Sequence, residues 1–436
     1  MIIGRINFLL IFLFLFTLSC KKEEDIIKNS DGVIVRQPYL WASSLSKENI
    51  LSYNIRVNVI NNNQVLTMEV EKKEGKPFGN NYLLMKNIEG GKNVWKWDDR
   101  LTDFESEDIS FVYQNNQYLT FTNGPRNYGI DLSTGQTLWK KEDMDQYSLN
   151  VLGIGEIYYV SGNTKQEAVV SRLNDGIFEG NIHNGKQIFV VTPNYSKTYI
   201  NESSGYKYAI GGSNWAMPFI MNLDTLLLIS YQELRPPGPP YLQTDQAQPF
   251  ICLYNKSQRK WIYENVELAQ PAVSQGVDGL PIRADGLVYM AVNRMITCHE
   301  VLTGKQVWTQ TFDANFLFSG FIKVGNKILA NNEGTYLYAL DAQTGKRLWQ
   351  VKSPGTCTKM QELNGVVYFV GGGDGLLYAV DADSGKVYWK IASPDKSKNS
   401  GAFFYNMCSV APGVNGKKGR VVVSSGLNAF CYEAVR

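Results

Sequence analysis

Along most of the chain, apolar and polar side chains alternate in short runs broken by Gly, Asn, Asp, Ser and Thr. A period of two belongs to half-buried β-strands joined by tight turns. The clearest run is Leu337-Tyr338-Ala339-Leu340-Asp341-Ala342-Gln343-Thr344-Gly345-Lys346-Arg347-Leu348-Trp349. It returns 40 residues later as Leu377-Tyr378-Ala379-Val380-Asp381-Ala382-Asp383-Ser384-Gly385-Lys386-Val387-Tyr388-Trp389. Each copy predicts a strand, a turn at Thr-Gly or Ser-Gly, and a return strand that ends on an indole. Four short strands in a period of this size predict a propeller, each unit forming one blade.

Aligned on the terminal aromatic, further copies form a ladder. Ile88 to Trp95, Ile130 to Trp139 and Glu300 to Trp308 follow the pattern; Leu173 to Phe178 is a shortened third copy, and Leu253 to Trp261 has lost its glycine. The equivalent third-strand positions are Met85, Gly129, Ser171, Cys252, Cys298, Ala339, Ala379 and Cys431, which predicts eight blades. The step from Ser171 to Cys252 is about twice the usual one, so Tyr199 to Gly205 is either a degenerate ninth copy or an inserted hairpin. The last unit stops at Asn428 to Glu433, before any return strand. A ring then needs a strand from elsewhere, and Val33 to Tyr39 is the candidate. The expected fold is an all-β, eight-bladed β-propeller over residues 33–436, its last blade closed by an N-terminal strand.

The first residues read differently. Arg5 precedes an unbroken apolar run from Phe8 to Phe16, too short for a comfortable membrane span. Thr17-Leu18-Ser19-Cys20 then resembles the processing site of a bacterial lipoprotein. That assigns residues 1–19 to a signal peptide, Cys20 to lipidation and residues 20–32 to a flexible tether. The charged run Lys21 to Asp25 resembles the surface-export signals of Bacteroidetes-type lipoproteins. The expected place is the outer membrane, held by the lipid anchor and facing the periplasm or the cell surface.

Composition narrows the chemistry. Lys+Arg 43 against Asp+Glu 41 leaves a balanced surface with no pull toward nucleic acid. The two histidines, His183 and His299, give little to a metal cage, and zinc is not expected. Cys252, Cys298 and Cys431 fall in a slot held elsewhere by Ala or Gly and read as small core residues. Cys357 and Cys408 fall in the first strands of neighbouring units, where a disulfide is geometrically conceivable.

Two stretches break the period. Arg235-Pro236-Pro237-Gly238-Pro239-Pro240-Tyr241 excludes a central strand and reads either as a polyproline contact for a partner or as a stiff surface loop. Tyr195 to Trp215 is the other, a candidate lining for one mouth of the ring. Gly371 to Gly375 lies between strands and is a turn, not a phosphate loop. Asp381 to Gly385 lacks the glutamate that would close a calcium loop.

The run from Ala339 to Trp349, repeated from Ala379 to Trp389, resembles the pyrroloquinoline quinone (PQQ)-like propeller repeat. Partial matches at Gly129 to Trp139 and Cys298 to Trp308 extend it over most of residues 33–436. The resemblance implies that Trp95, Trp139, Trp261, Trp308, Trp349 and Trp389 dock neighbouring blades. It also implies one of two occupations. One is a PQQ- and calcium-dependent alcohol or sugar dehydrogenase. The other is a non-enzymatic lipoprotein scaffold, such as the propeller subunit of the outer-membrane β-barrel assembly machinery. No adjacent cysteines and no matched calcium ligands stand here, so the expectation is a non-catalytic, cofactor-free scaffold for envelope or outer-membrane proteins. A surface protein that binds a glycan is a further alternative.

Overall fold

The computed structural model describes residues 26–46, 57–72, 79–99, 109–123, 126–142, 151–162, 176–193, 198–200, 207–209, 211–235, 246–270, 272–273, 276–316 and 320–436. Its strands form an eight-bladed propeller of four antiparallel strands per blade. Seven blades are contiguous in sequence, at residues 57–97, 109–141, 152–191, 211–267, 277–311, 321–352 and 361–391. Blade eight takes three strands from residues 405–433 and its outermost one, Trp41–Ser44, from the beginning of the chain. Trp41 pairs with Cys431 and Ser44 with Asn428. The ring is thus sealed by main-chain hydrogen bonds between segments almost 400 residues apart, which leaves no seam.

The closing strand is N-terminal, but it is not Val33 to Tyr39. That stretch contains Ile34–Arg36, which pairs with Ile27–Lys28 and lies parallel to the outer strand of blade seven through Ile34 and Trp389. Pro38 explains the handover, since it has no N–H to continue a ladder. The next strand also carries an indole, which the first does not. Residues 27 and 28, read as tether, are therefore part of a hairpin.

The third copy sits elsewhere than the ladder put it. The third strand of blade three is Gly176–Asn181, its turn passes through Gly185, and its return strand is Gln187–Val191. Phe178 thus faces Phe189 across the ladder instead of ending the return strand, and Ser171 and Leu173 to Asp175 lie outside the described residues. Phe189 stands where other blades carry an indole, which is why a ladder built on tryptophan missed it. The long interval before blade four holds a two-stranded hairpin, Thr198–Ile200 with Lys207–Ala209, and not a ninth blade.

The core is a circle of layers between neighbouring blades. Met68, Met85 and Trp97 of blade one pack on Leu119, Phe121 and Tyr128 of blade two. Tyr368 and Trp389 of blade seven meet Phe404, Val421 and Tyr432 of blade eight. Burying each large apolar side chain contributes about 1.5–3 kcal/mol, so every junction matters to the whole ring.

Candidate functional site

The turn that returns each blade's outer strand is built from local chemistry. Oδ1 of Asp341 accepts N–H bonds from Gln343 at 3.1 Å and Thr344 at 2.8 Å. Asp131 does the same for Ser133 and Thr134, and Asp381 for Asp383 and Ser384. These are Asx turns, in which one oxygen of each carboxylate is given to the turn's own backbone. Gly371 to Gly375 likewise closes a hairpin, with Gly375 N–H donating to the Gly371 carbonyl at 2.9 Å.

The indoles reach across. Trp95 donates to the Leu132 carbonyl at 3.0 Å, Trp139 to Ile182 at 2.7 Å and Trp308 to Ala342 at 3.0 Å, each on the next blade. Trp41 makes the same bond to Ile88 at 2.7 Å, a role the sequence ladder did not assign to it. Trp349 packs against the turn of blade seven without a partner for its N–H among the described residues, and Trp389 is buried between blades seven and eight.

Blade four differs. Its turn keeps the usual length, with Asn255 in the aspartate position and Arg259 in the glycine position at φ 52°. The residue that then falls on the indole position is Tyr263, whose hydroxyl donates to the Val301 carbonyl of blade five at 2.9 Å. Trp261 faces the other way, tilted on Tyr254 at 4.8 Å. Docking at this junction therefore belongs to Tyr263 and not to Trp261. Counting from Asn255 in place of the missing glycine would have found it.

The remaining polar candidates are absorbed by structure. His299 is buried, its Nδ1 2.9 Å from the Gly304 carbonyl and its Nε2 2.7 Å from the Thr297 hydroxyl. A carbonyl only accepts, so the proton sits on Nδ1 and the threonine donates to Nε2. Burial lowers its pKa. His183 Nε2 lies 2.8 Å from Glu156. Cys252, Cys298, Cys357, Cys408 and Cys431 are free and buried, and burial pushes Cys357 and Cys408 up to about 12. Among the described residues no three His, Cys, Asp or Glu side chains converge on one point.

One surface feature is not explained by the fold. The first two strands of blade four, Gly211–Met221 and Asp224–Arg235, are joined by Asn222-Leu223, both left-handed at φ 50° and 69°. Such two-residue turns call for Asn-Gly. Equivalent turns in other blades are Asp285-Gly286 and Asn364-Gly365. Leucine there costs about 1–2 kcal/mol relative to an unstrained residue. Leu223 is 96% exposed, so no packing offsets that cost, and Ile220 beside it is 60% exposed. Between this hairpin and blade five runs a groove of 330 Å³ floored by Phe219, Met221, Val301 and Leu302, with Arg283 over the Phe219 ring at 4.6 Å. Strain held at an exposed apolar tip beside an apolar groove is the geometry of a contact surface.

The predicted loop begins at the far end of the same strand. Arg235 ends it, its backbone paired with Gln246; Pro236, Pro237, Pro239, Pro240 and Tyr241 lie outside the described residues, as does Cys20.

Residues 255–434 match the family model described as outer membrane protein assembly factor BamB. No curated protein matches the chain. BamB from Moraxella catarrhalis superposes with a TM-score of 0.53 at 12% identity, over 92% of this chain and 98% of that one. Sqt1 from Saccharomyces cerevisiae superposes with a TM-score of 0.50 at 11% identity, over 90% and 99%. At such identities the structural likeness concerns the fold alone. Repeat signature and ring topology make the chain a β-propeller with PQQ-like repeats, and its residues 255–434 are similar to the outer membrane protein assembly factor BamB.

Proposed function

We propose that this protein is a non-catalytic envelope lipoprotein whose propeller holds another protein, with a component of outer-membrane assembly as the partner class. The observation that carries the reading is Leu223, an apolar side chain held in solvent at a conformational cost. The groove beside it supplies the pocket that a partner's anchor residue would fill. Similarity to BamB supports the class of partner, and residues 1–19 with Cys20 support the outer membrane as its location. Arg235 and the Pro236 to Tyr241 segment form a second candidate contact at the other end of the same strand.

The test is a photo-crosslinker placed at Leu223 in cells, followed by identification of the adduct by mass spectrometry. Capture of an outer-membrane assembly component, lost in Leu302→Asp, supports the reading. Absence of any protein adduct, or capture that survives Leu302→Asp unchanged, overturns it.

A further inference from the structure

Where the chain leaves the ring limits how the ring can sit on a membrane. The described chain begins at Ile26, on the hairpin added to the outer edge of blade seven. Cys20 is six residues earlier, a reach of about 20 Å at full extension. If Cys20 carries the lipid, the rim at blades seven and eight stays within that distance of the bilayer. Blades three and four lie on the opposite side of an eight-membered ring.

The same rim carries exposed apolar side chains, as do the outer strands of other blades at Val94, Leu138, Phe189, Val307 and Leu348; its place beside the tether is what singles it out. Ile26 and Ile27 are exposed, and Ile27 pairs with Arg36, two residues before Pro38. Tyr39 and Leu40 follow, both exposed, while the Leu40 N–H is fixed on the Cys431 carbonyl at 2.7 Å. The Tyr39 ring packs edge-on against Phe430 at 5.3 Å, which holds it at the rim. Lys28 and Arg36 flank the patch and are exposed. Aliphatic residues with a tyrosine and flanking cations are what an interfacial contact with lipid headgroups requires.

We propose that the rim formed by Ile26, Ile27, Tyr39 and Leu40 rests on the bilayer that receives the lipid, so that the propeller stands edge-on. Blade four, which carries the hairpin at Leu223, then lies on the half of the ring far from the membrane. This inference rests on the lipoprotein reading above.

Five buried cysteines make a topological test practical, because an introduced cysteine is the accessible thiol among the described residues. The acylated full-length chain is reconstituted on vesicles of phosphatidylethanolamine and phosphatidylglycerol, as Ser30→Cys or Asn184→Cys. A water-soluble maleimide should lose access to Ser30→Cys on vesicles and keep it at Asn184→Cys in blade three. Adding Ile27→Asp and Leu40→Asp should restore labelling at position 30 while the chain remains attached. Equal labelling at both positions on an acylated, vesicle-bound chain overturns the orientation alone. A mature chain without acyl groups by mass spectrometry overturns the lipoprotein reading and the orientation with it.

Discussion

The indole of Trp308 lies so close to Gly345 of the next blade that a Cβ there would come within 2.6 Å of the ring. Gly345 is also left-handed, at φ 70°. The glycine of the repeat therefore serves two masters, a local turn and an indole arriving from the previous blade. Gly345→Ala should destabilise the protein by about 2–4 kcal/mol, the sum of backbone strain and displaced packing. Arg259→Gly, at the same position of blade four, should be neutral or stabilising by up to about 1 kcal/mol, because only strain is relieved. Urea unfolding of the two variants checks both signs.

Blade four tolerates Arg259 because blade three sends no indole to it; Phe189 is exposed instead. The apolar layer of Tyr159 and Ile177 on Leu227 and Ile229 remains, and a polar link is added where other junctions have the indole bond. Lys256 of blade four pairs with Glu179 of blade three, and the Tyr159 hydroxyl donates to the same carboxylate at 2.6 Å. Glu179→Gln should cost about 1–2 kcal/mol, more than an exposed pair and less than a fully buried one. High salt should shrink that difference, and hydrogen exchange should open this junction before the indole-bearing ones.

Trp41 closes the ring, so its removal should be felt far from residue 41. Trp41→Ala should lose about 3–5 kcal/mol, and Trp41→Phe, which keeps most of the packing but loses the bond to Ile88, about 1 kcal/mol. Thermal unfolding gives the order directly: wild type, then phenylalanine, then alanine.

Leu223 separates function from stability. Leu223→Gly should raise stability by up to about 1 kcal/mol by relieving the left-handed strain. The same substitution should weaken partner capture. A variant that melts higher and binds less is the expected pair of outcomes.

Acid stability should report on Asp381. Burial raises its pKa, but bonds from Ser384, Arg436 and Tyr388 outweigh burial and hold it at about 2. An unfolded aspartate titrates near 3.9, so this contribution is present above about pH 4 and is lost as pH falls toward 2. Arg436, 2.7 Å from Asp381, is the last residue of the chain. Arg436→Gln should bring the folded pKa closer to the unfolded one and make stability less dependent on pH between about 4 and 2. Circular dichroism during acid titration measures it.

The residues alone announced the period, the all-β class, the blade number and the closure by an N-terminal strand. Those follow from side-chain alternation and turn chemistry, which act over a few residues and so are written locally. Blades three and four were misregistered for one shared reason. Phe189 and Arg259 are the two halves of a single missing contact, and neither looks like the repeat by itself. Which N-terminal strand seals the ring, and that Tyr263 does the work expected of Trp261, depended on pairing between residues distant in sequence. The strain and exposure of Leu223 were hidden as well, because an apolar residue inside an alternating run reads as buried until its neighbours are in place. Local patterning determines what kind of unit the chain repeats, whereas long-range pairing decides which side chains are left facing solvent, and the exposed ones are those a partner would meet.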